Sequence, residues 1–219
     1  MHIPDGFLAA NTWLPAWLIS AGSLGYCIKK ASRMLQDRII PLMGIMSAFI
    51  FAAQMINFPV IGGTSGHLFG GVLVSVLLGP YAGAIVLSCV LIFQCLLFQD
   101  GGLLALGANI FNMAIIGTIG GYIIFRTAQK IMDKKKGFFI ASAIAAWLSV
   151  VLAAACCALE LAVSGVSPLR VVLPAMVGIH ALIGIGEAII TVAVLSFVQK
   201  VRPDLIYCET PISKAQRNC

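Results

Sequence analysis

The sequence predicts an all-α membrane protein, a seven-helix transmembrane bundle that forms one integral membrane domain over residues 1–219. Hydrophobic residues make up 60% of the chain and charged residues 10%, with mean hydropathy +1.03, so there is far too little polar surface to cover a soluble globule. Apolar runs recur along the whole length, most of them near or above the roughly 20 residues a helix needs to cross about 30 Å of hydrocarbon. The basic residues sit in short segments between these runs. The net charge of +6 therefore reports orientation in a membrane rather than a nucleic-acid partner. No stretch is left over for a separate soluble domain.

The elements follow in order. A polar N-terminal strand over the first residues precedes apolar runs near 12–30, 39–57, 67–79, 81–98, 103–127, 138–164 and 171–199, which gives seven helices. The third and fourth are short and divided only by Gly79-Pro80, a pair that breaks a helix by removing a donor and fixing φ, so six spans with one broken is the alternative. With seven spans the termini lie on opposite sides. If the N-terminus is outside, the inner segments hold Lys29, Lys30, Arg33 and Arg38, then Arg126, Lys130, Lys134, Lys135 and Lys136, then Lys200, Arg202, Lys214 and Arg217, leaving only Arg170 outside. That bias predicts a multi-pass protein of the cell membrane with an extracytoplasmic N-terminus and a cytoplasmic C-terminus. The first apolar run lacks the basic flank of a signal peptide, and a bulky second residue protects Met1 from removal, so the mature chain is expected to keep its start methionine. Seven cysteines, among them Cys27, Cys89, Cys95, Cys156 and Cys157 inside apolar runs, form no Cys-x-x-Cys pair and read as small apolar filler.

The chemistry concentrates at the two ends of the first loop system. Met1-His2 places a free amine, a backbone amide and an imidazole within two residues. If the amine, the deprotonated amide nitrogen of His2 and the His2 Nδ1 bind one ion, they close a five-membered and a six-membered chelate ring in one plane. A fourth nitrogen completes a square, a field that suits Ni(II) and Cu(II) and accommodates Co(II), whereas Zn(II) prefers a tetrahedron and Mg(II) or Ca(II) prefers oxygen. The segment Asn57-Phe58-Pro59-Val60-Ile61-Gly62-Gly63-Thr64-Ser65-Gly66-His67 falls on the same side as His2. Its glycines and proline suit a loop that dips into a bundle, where polar backbone is tolerated only if protein or water surrounds it. His67 is thus the obvious fourth donor, against the plainer view of two unrelated exposed histidines.

These residues carry a resemblance. Met-His-Ile-Pro-Asp-Gly-Phe-Leu at 1–8, followed by Gly-Gly-Thr-Ser-Gly-His-Leu at 62–68, resembles the M subunit of nickel and cobalt energy-coupling-factor transporters, the NikM/CbiM family, and the likeness spans essentially the whole chain. The resemblance implies an S-component-like core with an extra N-terminal helix and strand, and a substrate-binding subunit that captures Ni2+ or Co2+. It also implies docking on a transmembrane coupling subunit driven by cytoplasmic ATPases, and Met1, His2 and His67 as the metal ligands. A small companion N subunit, fused in some members, is expected here as a separate polypeptide.

Other polar residues divide between structural and functional readings. His180 and Glu187 lie seven residues apart on one face of the last helix, and ionisable groups within a membrane default to functional suspects. They stand as an interhelical hydrogen-bond partner and a support for the metal pocket, or as plain structural contacts. Asn109 and Asn112, on one face of the fifth helix, and Asn57 at the end of the second, are placed to hydrogen-bond a ligand histidine, to fix the N-terminal strand, or simply to join helices. Ala48 and Ala52 form a small-xxx-small step that resembles the S-component surface for the coupling subunit. Met34, Met43, Met46, Met55, Met113, Met132 and Met176 form no Met-x-x-Met cluster and read as core packing.

The function that follows is ion capture and uptake, Ni2+ ahead of Co2+ because of the planar field. No G-x-x-x-x-G-K-[ST] loop occurs, so energy is expected from partner chains and the subunit is not expected to be an enzyme. An intramembrane metalloenzyme would need an open coordination position and a nearby acid or base, and four nitrogens in a square leave little room. Asp5, the nearest carboxylate in the sequence, reads as a cap for the turn at Gly6. A passive structural or regulatory subunit would make the chelating end incidental.

Overall fold

A computed structural model describes residues 1–33, 39–60, 64–132 and 136–207, with the side chains of 58–60, 64, 65 and 136 left aside. Arg38, Met34, Lys134, Lys135, Lys214, Arg217 and the Gly62-Gly63 pair lie outside the described residues.

Among the described residues the chain forms seven helices. They are α1 (Ala10–Ala31), α2 (Ile39–Gln54), α3 (Gly71–Leu78), α4 (Pro80–Phe98), α5 (Leu106–Ile131), α6 (Lys136–Val163) and α7 (Leu169–Val201), followed by a 3-10 turn at Pro203–Leu205. The seven-helix expectation holds. Four helices, α4 to α7, are long and apolar enough to cross a membrane, and α2 is a shorter apolar helix. The expected N-terminal strand does not form: residues 1–9 are irregular, with a turn at Asp5-Gly6. Their polar groups are used by the bundle end rather than by a sheet, as described below. The strands that do form are a two-stranded antiparallel hairpin, β1 (Phe58–Val60) and β2 (Thr64–Gly66).

This hairpin solves the problem of the third helix. At eight residues α3 is only about 12 Å long, too short to span. The segment before it dips into the bundle and covers the remaining depth, leaving Gly66, His67, Phe69 and Gly70 buried. At its inner end, Phe69 and Gly70, protein groups bind the polar backbone, as a non-helical segment at that depth requires. Gln54 Nε2 donates to Phe69 O at 3.0 Å, and the Glu187 carboxyl oxygens accept from the Phe69 and Gly70 amides at 2.8 and 2.7 Å. The helix ends at Gly79, whose φ of +85° is open to glycine and closed to most side chains, and Pro80 then opens α4 without needing an amide donor.

The remaining contacts place the ends of the bundle. At one end α1 meets α5, with Ser20 Oγ donating to Gly107 O at 2.6 Å and Trp17 Nε1 to Leu104 O at 3.0 Å. The end of α6 joins the same cluster through Ser164 Oγ and Thr12 Oγ1, 3.0 Å apart. At the other end the Tyr207 amide donates to Val76 O at 2.9 Å. Met1 and Tyr207 therefore lie at opposite ends. The α6 and α7 helices pack along much of their length, and Trp147 Nε1 of α6 donates to Ala181 O of α7 at 3.0 Å. Met46, Met113 and Met176 sit in the core, as packing residues should, and Cys27, Cys95 and Cys157 are buried free thiols.

Candidate metal centre

The N-terminal segment folds back over the bundle end and is pinned there residue by residue. The Ile3 amide donates to Asn109 Oδ1 at 2.8 Å, Asn109 Nδ2 donates to Ile3 O at 3.1 Å, and the Gly102 amide donates to the same carbonyl at 2.8 Å. Asn109 thus treats Ile3 as a neighbouring strand would. The Asp5 carboxylate accepts from the Leu103 and Leu104 amides at 2.9 and 2.8 Å, so it ties the segment to the α4–α5 loop rather than capping its own turn. Pinned at Ile3 and Asp5, the chain can only run inward. Met1 is 0% exposed, His2 4% and His67 1%, which puts a chain terminus and two imidazoles out of contact with solvent.

The three groups predicted as ligands come together. The Met1 α-amino group contacts His67 Nε2 directly, and the His2 ring lies on the His67 ring with centroids 4.6 Å apart and planes 28° from parallel. On its far side His67 stacks on Phe69, 5.8 Å between centroids. His67 Nδ1 is 2.7 Å from Leu68 O, and since a carbonyl can only accept, Nδ1 carries the proton and Nε2 offers its lone pair to the amine. The His2 ring is bracketed. Its Nε2 is 3.1 Å from Gln94 Oε1 and its Nδ1 is 3.2 Å from Asp100 Oδ1. Asp100 Oδ2 in turn accepts from Asn57 Nδ2 at 3.3 Å.

Burial sets the protonation of this cluster. It lowers the Met1 amine from 8.0 to about 4, against a smaller upward pull from the nearby Cys157 and Asp100. It lowers His2 to about 3, assisted by the amine and opposed by the Gln94 hydrogen bond. His67 keeps the neutral form that its Nδ1 contact with Leu68 O fixes. At neutral pH all three are neutral nitrogens with lone pairs. Asp100 moves upward because it is half-buried, with the amine and Asn57 resisting.

The supporting residues sort differently from the sequence expectation. Of the three asparagines only Asn109 fixes the N-terminal segment. Asn57 binds Asp100, and Asn112 Nδ2 donates to Glu160 Oε2 on α6 at 2.6 Å. Asn109 and Asn112 part company because α5 turns into a π-helix over Ile110–Gly120, whose wider i→i+5 turn rotates residues three apart away from a common face. His180 and Glu187 do share a buried stripe of α7 with Met176, Gly184 and Thr191. Glu187 holds the backbone just after His67. His180 Nδ1 donates to Met176 O at 2.8 Å. Ala48 and Ala52 are exposed on the outer face of α2.

Gln94 and Asp100 were not among the residues singled out from sequence, although both touch His2. The available signals were an amide inside the apolar run of α4, where polar groups are costly, and an acid at its end beside Gly101-Gly102.

The chain is similar to known metal transport proteins over nearly its whole length. The family model described as "Cobalt uptake substrate-specific transmembrane region", CbiM, matches residues 2–205. A protein of Archaeoglobus fulgidus named as a fused nickel transport protein, NikMN, is 43% identical over 94% of this chain and 68% of its own length. A protein of Haloquadratum walsbyi named as a metal transport protein is 39% identical over 95% of this chain and 94% of its own. A crystal structure titled as a truncated transition metal transporter superposes with a TM-score of 0.85 at 36% identity, covering 91% of this chain and 99% of the other. A multi-pass helical bundle with a buried N-terminus, matched from His2 almost to its last described residue, belongs to the CbiM family of metal transport proteins.

Proposed function

We propose that this chain captures a divalent transition-metal ion, Ni2+ in preference to Co2+, and carries it across the membrane as the substrate-binding subunit of an energy-coupling-factor transporter. The single observation that carries this is a buried, neutral α-amino group in contact with His67 Nε2 beneath the His2 ring. Burying a chain terminus costs free energy that an ordinary core does not recover, and a chelate with a metal ion does. The ligands are the Met1 amine, the His2 amide nitrogen and Nδ1, and His67 Nε2. An all-nitrogen planar set favours Ni(II), which is the basis for ranking it above Co(II).

Each neighbour has a part in holding this set. Leu68 O fixes the His67 tautomer, Gln94 Oε1 holds His2 by Nε2 and leaves Nδ1 for the ion, and Asn109 sets how far Met1 reaches inward. Because Glu187 grips the backbone at 69–70 from α7, movement of α7 displaces His67 and opens the square for release. The energy comes from a coupling subunit and cytoplasmic ATPases. The exposed Ala48 and Ala52 on α2 permit close approach of the coupling subunit's helices. A companion N component, to which the name of the Archaeoglobus relative points, is a further partner.

Adding a second methionine ahead of Met1 tests the reading, since a Met-Met-His start is not trimmed and moves the amine out of the chelate. Untagged protein is expected to bind about one nickel ion per chain in equilibrium dialysis and the extended chain essentially none, with unchanged helicity by circular dichroism. Equal binding by both chains would overturn it.

A further inference from the structure

We propose that the Asp100 carboxylate is the entry ligand of this transporter: it holds the incoming hydrated cation at the mouth of the site and passes it to His2 Nδ1. The inference rests on the metal-capture reading above and assigns a residue to the step that precedes chelation.

Among the described residues, Asp100 alone of the acids at this end combines access with reach. Its side chain is 17% exposed against 3% for His2, and its Oδ1 is 3.2 Å from Nδ1, so one atom-to-atom step separates solvent from the chelate. Asp5 is spent on two backbone amides, and Glu160 on α6 is tied to Asn112 of α5. The Asp100 carboxylate is held in place: its backbone amide donates to Gln94 O at 3.2 Å, and its Oδ2 receives Asn57 Nδ2 from the end of α2. That leaves Oδ1 turned toward His2.

The chemistry suits a first encounter. A carboxylate oxygen can hold a hydrated divalent ion through its water shell or by replacing a single water, whereas the planar nitrogen set demands loss of several waters and of the His2 amide proton. A fixed negative charge at the mouth also raises the local cation concentration, and such steering changes association rates by ten- to a thousandfold and fades with salt. Asp100 need not remain bound once the nitrogens have closed around the ion.

The test is stopped-flow association of nickel alone with purified, untagged full-length chain, comparing native protein with Asp100→Asn and Asp100→Glu. Asp100→Asn is expected to associate at least about tenfold more slowly at low salt and to lose most of its salt dependence, with stoichiometry and the saturated absorption spectrum unchanged. Asp100→Glu is expected to retain most of the native rate. Association of Asp100→Asn at the native rate overturns the proposal, as does a changed spectrum at saturation, which would make Asp100 a resident ligand or a purely structural contact. A native chain that binds no nickel would instead overturn the metal-capture reading itself, so the two failures are distinguishable.

Discussion

Neutral nitrogen is what a chelate needs, and burial supplies it at Met1 and His2. With the amine lowered from 8.0 to about 4, the unfolded chain holds a proton between those pH values that the folded chain does not. Stability therefore rises with pH across that window and is lost as pH falls from about 8 toward 4, and His2, lowered to about 3, acts in the same direction. Metal binding inherits the consequence. At pH 7 the amine and both imidazoles have no proton to give up, so nickel is expected to displace about one proton, from the His2 amide. A solvated terminus with an ordinary amine would release about two. Calorimetry in buffers of different ionisation enthalpy separates these outcomes, and a value near two would mean that the terminus is not buried as described.

At the level of elements, the site depends on the fit between the N-terminal segment and the α4–α5 loop. A Cβ at Gly102 would come within 2.7 Å of Asp5 Cα and still closer to the Asp5 amide, so no side chain fits beneath the segment. Gly102→Ala is expected to lift residues 1–5 from the loop and weaken nickel binding by about tenfold or more, as losing an outer-shell partner does, while the helices stay assembled. Binding isotherms with a parallel thermal melt check this, and native affinity in the variant would remove the loop from the account. The loop's importance was hidden in the sequence, where Gly101-Gly102 reads only as a turn. The meeting of Met1, His2 and His67, the proposed ligands, was legible because amine, amide and imidazole are contiguous at Met1-His2, and because a Gly-rich segment announces a dipping loop. Gln94, Asp100 and the divergence of Asn109 from Asn112 were not. The first two depend on which helices meet at the mouth, and the third on a π-helical turn that no 3.6-residue pattern encodes.

Across the whole molecule, the helix ends sort the charges. Lys29, Lys30, Arg33, Lys200 and Arg202 fall at the end where Tyr207 meets Val76, as do Arg126 and Lys130 near the end of α5, while Arg170 falls at the His2 end. Alternation of six crossings would have returned Tyr207 to the His2 end. The chain avoids this because the dipping hairpin and α3 together make one crossing and α4 makes the next. On the proposed import function the positive-inside rule predicts a cytoplasmic Tyr207 end and an outward-facing His2 end, the orientation that capture from outside needs. Cysteine labelling in a cysteine-free background tests it: Arg170→Cys is expected to react with a membrane-impermeant maleimide in intact cells, and Lys30→Cys only after permeabilisation. The reverse pattern would place the metal centre on the cytoplasmic side, where Asp100 and His2 would meet ions leaving the cell rather than entering it.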